Sequence, residues 1–163
     1  MKRFGWLKAI FRSFVFAFAG IKNVVLKERN FRIHLVAIYV VSVFSVIYGL
    51  TTSEYAIIYL TCFIVLALEI VNTAVEAIID LRIYEENEYA RLAKDAAAAG
   101  VLVAAICAIL VAVFLFSDLD KLSDAFKMIF TTWRGLWFLL AIPPAILFVK
   151  GSPKWKKGLK DDE

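Results

Sequence analysis

Polar and apolar positions fall in long blocks along this chain rather than at the two-residue period of a strand. Apolar runs cover about 33–50, 55–81 and 96–116, and a weaker one covers 130–149, where Arg134 and the Pro143-Pro144 pair intervene. Membrane-spanning helices are predicted for these runs, because roughly 20 helical residues cross a hydrocarbon core about 30 Å thick. The proline pair is expected to kink the last run, since it removes backbone donors and crowds the preceding turn. A re-entrant hairpin is the alternative there. Residues 4–27 follow another pattern. Lys8, Arg12 and Lys22 fall within about 80° of one face at 100° per residue. Phe4, Trp6, Phe11, Phe14, Phe16 and Phe18 supply an apolar body. This predicts an amphipathic helix lying in the membrane interface, with a break at Gly20 before a second short piece leading to Glu28.

Composition agrees with that picture. The chain has 163 residues, 62% of them hydrophobic, with a mean hydropathy of +0.77, which is too apolar for a soluble domain of this length. The expectation is an all-α membrane protein: an N-terminal interfacial helix, three transmembrane helices and a fourth span near the C-terminus. Basic residues gather before the first span, in the loop after the second (Arg82, Arg91, Lys94) and in the tail (Lys150 to Lys160). The loop "GLTTSE" has none, and the third loop mixes Lys121, Lys127 and Arg134 with Asp118, Asp120 and Asp124. The positive-inside rule then places the N-terminus, the second loop and the tail in the cytoplasm, which requires the fourth run to cross. No cleavable signal peptide is expected, because charge is scattered through the first apolar stretch. Cys62 and Cys107 fall inside spans with no disulfide or metal spacing. His34, the only histidine, reads as a packed or interfacial residue rather than a ligand.

The stretch "LEIVNTAVEAIID" (68–80) does not fit a lipid-facing helix. Glu69, Asn72, Glu76 and Asp80 share a stripe about 80° wide at helical spacing. With the helix starting at Tyr55, Glu69 lies roughly 21 Å along it and Glu76 roughly 31 Å. Glu69 is therefore expected inside the hydrocarbon, with Glu76 and Asp80 emerging at the surface. A carboxylate within a span costs about 2.5–3.5 kcal/mol on insertion scales, so it needs a reason. One is an interhelical hydrogen-bond cluster with Glu69 protonated. Another is chemistry at the membrane surface: a buried carboxylate accepts a proton from a lipid hydroxyl, surface carboxylates hold Mg²⁺ beside nucleotide phosphates, and a nearby lysine such as Lys94 neutralises phosphate charge. A proton or cation pathway through a small transporter or ion-conducting oligomer uses the same residues. The lack of Gly/Pro-broken half-helices in the first three spans argues against transport. No Walker-type or GxGxxG loop is present to cradle a nucleotide. The third span carries Ala96, Gly100, Ala104 and Ala108 every fourth residue, a smooth ridge that predicts close packing on another helix.

The motifs "ERNFRIH" (28–34), "LEIVNTAVEAIID" (68–80) and "AKDAAAAGVL" (93–102) resemble the small bacterial integral-membrane lipid kinases, the diacylglycerol kinases and their undecaprenol kinase relatives. The likeness covers about 8–116 and looks closer to the undecaprenol kinase branch. It implies a lipid kinase core over 1–116 (interfacial helix 1–30, three spans 31–116) and an added 117–163 extension holding the fourth span and the basic tail. It further implies transfer of the ATP γ-phosphate to a membrane lipid alcohol, undecaprenol first and diacylglycerol as the alternative. A Mg²⁺ cofactor, a homotrimer with sites between subunits, a place in the bacterial cytoplasmic membrane and no nucleic-acid partner go with it. By position, Glu69 would be the general base, and Glu28 and Glu76 would hold the metal. Glu28, Asn72, Glu76, Glu85, Glu86, Lys94 and Asp95 would meet the nucleotide, and Asp80 would be a hinge or supporting group. Three departures stand out: the loop "YEENEY" lacks the family's frequent histidine, Ala19 replaces a common basic residue, and members usually end near position 120.

Overall fold

A computed structural model of the chain describes residues 5–82, 87–133, 135 and 140–151. Six helices run through these residues, with no strand among them: α1 (Gly5–Lys27), α2 (Arg29–Tyr48), α3 (Thr52–Arg82), α4 (Glu88–Leu115), α5 (Leu119–Thr131) and α6 (Ile142–Lys150). Local chemistry sets the boundaries. Gly49 closes α2 in the left-handed region (φ 79°), where its N–H reaches Ser45 O at 3.0 Å; a glycine takes this conformation without steric cost. Two residues later Thr51 and Glu54 form a capping box. Thr51 N and Oγ1 each donate to Glu54 Oε2 at 2.7 Å, and Glu54 N donates back to Thr51 Oγ1 at 3.4 Å, so donors left over at the start of α3 are satisfied. Asn87 caps α4 by accepting from Tyr89 N and Ala90 N, and Asp118 caps α5 in the same way.

α1 to α4 are each long and apolar enough to cross a membrane. α3 alone has 31 residues, about 46 Å of helix, so its ends overshoot a hydrocarbon core of about 30 Å. α3 and α4 form an antiparallel hairpin, and α2 packs chiefly against α3. The small buried core sits where Val24, Phe31 and Leu66 meet, flanked by Val25, Leu35, Ile38 and Ile70. Large apolar side chains elsewhere, such as Phe63, Ile109 and Phe114, stay exposed, as lipid-facing surfaces require.

Three features differ from the sequence expectation. First, α1 runs unbroken through Gly20; the break comes at Glu28, which is extended (φ −92°, ψ 116°). One interior glycine costs only about 1 kcal/mol against alanine, too little to end a helix with good formers on both sides. α1 is exposed from Trp6 to Asn23 and joins the bundle through its last turn. Second, a Cβ added at Gly100 would meet nothing within 4 Å, so the small-residue ridge of α4 is not tightly packed there within one chain. Third, 130–149 does not form one helix. α5 stops at Thr131, Thr132 is extended, and α6 has nine residues, about 13 Å; 134 and 136–139 lie outside the described residues.

The C-terminal segment nevertheless meets both ends of α2. At one end Phe44, Tyr48, Phe116 and Phe126 form an aromatic cluster, and Tyr48 Oη accepts from Asp118 N at 3.1 Å. At the other end Arg32 Nε donates to Val149 O at 3.3 Å, while its Nη1 donates to Val25 O and Leu26 O. Those two anchors on α2 lie roughly 24 Å apart. The chain from Asp118 to Val149 thus returns to the end of α2 that carries the α1 junction. Arg32, buried at 6% exposure, clamps the last carbonyls of α1 and α6 together, which stabilises helix ends that would otherwise lack donors.

Candidate active site

The polar stripe of α3 is assembled as the helical period requires. Glu69 is 4% exposed, and Thr73 Oγ1 donates to its backbone carbonyl at 3.0 Å. One turn on, Asn72 Nδ2 donates to Glu76 Oε1 at 2.9 Å. Asn72 Oδ1 is buried with no hydrogen-bond partner, an oxygen unused within the chain. Such atoms are rare because each costs desolvation energy, and this one marks a place for a donor or a cation.

α2 brings two more groups to the stripe. His34 Nε2 stands 3.3 Å from Glu69 Oε1. Glu28, at the α1–α2 junction, makes no cap to α2. Its carboxyl is held above the ordinary range, first by burial and then by the charges of Glu76 and Glu69, against the opposing pull of Arg32 and Lys27. Glu28 therefore feels the charges of both α3 carboxylates, although 41 positions separate it from Glu69 in the chain. No group of three or more His, Cys, Asp or Glu poised on a metal occurs among the described residues. The donors at hand are the Glu28 and Glu76 carboxylates and the free Asn72 oxygen. All are hard oxygens, a set that suits Mg²⁺ bound through one or two carboxylates and completed by phosphate and water.

The remaining sequence-predicted residues lie beyond this cluster. Lys94 of α4 is ion-paired with Asp80 of α3 near the connected end of the hairpin. Asp95 beside it is exposed. Glu85 and Glu86 fall outside the described residues. His34 is the participant that sequence reading set aside. Its signal was present, six residues after Glu28 at the start of a span, but an imidazole there reads as packing until α2 and α3 are docked.

Below the cluster an apolar trench opens between α2, α3 and α4. Its polar end, about 290 Å³, is lined by Asn30, His34, Glu69 and Asn72 with Ala98, Val101 and Ala105. A further 250 Å³ or so continues along Ile38, Val41, Ile58, Cys62, Ala108 and Ala112, with His34 and Ala105 common to both parts. From Ala98 to Ala112 the trench follows roughly 21 Å of α4. The trench is largely apolar and carries its carboxylate, Glu69, at one end.

The family model for prokaryotic diacylglycerol kinase matches residues 15–116, which contain all of this geometry. The chain belongs to the prokaryotic diacylglycerol kinase family. Over 101 residues it is 40% identical to a diacylglycerol kinase of Synechocystis sp., covering 61% of this chain and 57% of that protein. The match thus spans little more than half of that relative. Over 110 residues it is 36% identical to an undecaprenol kinase of Bacillus subtilis, covering 68% of this chain and 89% of that one. No solved structure gives a significant match. Family membership and the four long apolar helices make the chain a multi-pass membrane protein. α5 and α6 lie past the matched region.

Proposed function

We propose that this protein is an ATP-dependent lipid kinase that phosphorylates the hydroxyl of a membrane lipid alcohol, with undecaprenol as the acceptor. The observation that carries the reading is the buried Glu69 at the head of an apolar trench. There a carboxylate meets a lipid headgroup without entry of bulk water. The lipid hydroxyl gives its proton to Glu69 as its oxygen attacks the γ-phosphorus; the bond to the β-phosphate oxygen breaks and ADP departs. His34, 3.3 Å away, orients the Glu69 carboxylate.

Glu28 and Glu76, with the free Asn72 oxygen, are the groups that would hold Mg²⁺. That ion, when bound, would neutralise charge on the transferring phosphate. Lys94 exchanges Asp80 for a nucleotide phosphate, and Asp95 lies on the same surface. Asp80 keeps Lys94 in place until then. Undecaprenol is favoured by the motifs "ERNFRIH" and "LALEIVNTAVEAIIDL" and by the Bacillus relative, matched over most of its length. Diacylglycerol is the second reading, supported by the name of the Synechocystis relative.

The core is residues 1–116 and the extension 117–163. α1 lies in the membrane interface, in keeping with its exposed length and single point of attachment. The protein sits in the bacterial cytoplasmic membrane with both termini in the cytoplasm, as the basic residues favour, and works as a homotrimer. The test supplies purified protein with γ-labelled ATP and undecaprenol, diacylglycerol or ceramide, and measures lipid phosphate. Label in undecaprenol above the other two supports the full reading, and label in diacylglycerol alone replaces the acceptor. No label in any lipid overturns the kinase assignment.

A further inference from the structure

The second face of α2 carries a different groove. It lies between α2 and α6, encloses about 350 Å³, and is walled by Val36 and Val40 of α2 and Ala145 and Ile146 of α6. Two cations, Arg29 and Lys150, stand at one end, and no acid lines it. That end is a membrane surface by construction, because Arg29 is the first residue of the spanning helix α2 and Lys150 the last of α6. Arg29 is exposed and lines this groove, whereas Asn30, His34, Glu69 and Asn72 line the trench on the other side. No ion pair is formed by Arg29 or Lys150 with the described residues. The carbonyls that could repel an anion at the end of α6 are engaged, Val149 O by Arg32 and Leu147 O and Phe148 O by Gly151 N–H.

We propose that this groove binds an anionic membrane phospholipid, its phosphate between Arg29 and Lys150 and one acyl chain along the apolar walls. An apolar slot open to lipid accepts any acyl chain, so the cations at its mouth set the choice of headgroup. Cations near a membrane surface contribute about 1 kcal/mol each toward an anionic lipid, so two of them give a preference of about thirty-fold over a zwitterionic lipid. The site is built from residues outside the kinase chemistry and from a helix outside the family match, and it stands whether or not the kinase reading does.

Native mass spectrometry of the full-length protein, titrated with phosphatidylglycerol or phosphatidylcholine of the same chains, reads that preference. The expected result is a tightly bound phosphatidylglycerol that phosphatidylcholine does not replace. Arg29→Gln with Lys150→Gln should abolish the preference, while Lys8→Gln with Arg12→Gln on α1 should keep it. Ala145→Phe, which fills the groove, should reduce occupancy by either lipid, with helical content checked by circular dichroism. Equal binding of the two lipids, equal loss in the α1 pair, or full occupancy in folded Ala145→Phe would each overturn the proposal.

Discussion

The two faces of α2 make similar apolar spaces with opposite heads. On the α3–α4 side the trench ends at Glu69, with His34 and Asn72 beside it. On the α6 side the groove ends at Arg29 and Lys150. The walls are aliphatic in both and do not choose between lipids, because acyl and isoprenoid tails gain similar free energy per buried area. The heads do the choosing. A buried carboxylate repels an anionic headgroup and suits a neutral alcohol that must lose a proton. A pair of exposed cations attracts a phosphate that needs no chemistry. On these two proposals one helix would serve two lipid sites with heads of opposite charge, Glu69 on one side and Arg29 with Lys150 on the other.

The comparison can be broken at either head. The largest effect is expected for Glu69→Gln: loss of the proton acceptor should lower lipid phosphorylation by about 10³-fold, with the phosphatidylglycerol preference at α6 unchanged. Next, Glu76→Gln should raise the Mg²⁺ concentration for half-maximal activity by about tenfold or more. Asp124→Asn, on α5 and paired with Lys127, should not. Equal shifts in the two variants would remove the metal assignment. His34→Gln should lower turnover by roughly tenfold, about 1.4 kcal/mol of barrier, and leave the KM for ATP unchanged. A change in KM alone would make His34 a nucleotide-side residue instead. The smallest effect belongs to Tyr48→Phe, which loses the hydrogen bond to Asp118 and should cost about 1 kcal/mol of stability. It should loosen α5, visible as faster amide exchange over 118–131, and leave phosphorylation as it was. Slower phosphorylation would show that the extension reaches the catalytic side.

Much of this was legible in the sequence because it is local. Spacing alone put Glu69, Asn72 and Glu76 on one stripe of α3, and the Asn72–Glu76 hydrogen bond is that spacing made visible. The stretch "GLTTSE" read as the loop between the first two spans, and α2 does end at its Gly49. What sequence could not supply was the rotation of one helix against another. His34 meets Glu69 only because α2 docks with that face toward α3. The buried Arg32 looked like one more basic residue of the N-terminal region until α1 and α6 brought their last carbonyls to it. Gly20 was over-read, since a lone glycine is a weak helix breaker next to a continuous apolar stretch. The run 130–149 was read from hydropathy as one span, but hydropathy does not see the end of α5 at Thr132.

The central claim is that the heads of the two grooves sort lipids, and photo-crosslinking tests it most directly. A polyprenol and a phosphatidylglycerol, each with a diazirine in its tail, would be added separately to the protein in nanodiscs, irradiated, and mapped by peptide mass spectrometry. The polyprenol is predicted to label α3 and α4 around Ile58 to Val65 and Ala105 to Ala112, and the phosphatidylglycerol to label α6 around Ala145 to Val149. Identical labelling by the two lipids at both grooves would contradict the account.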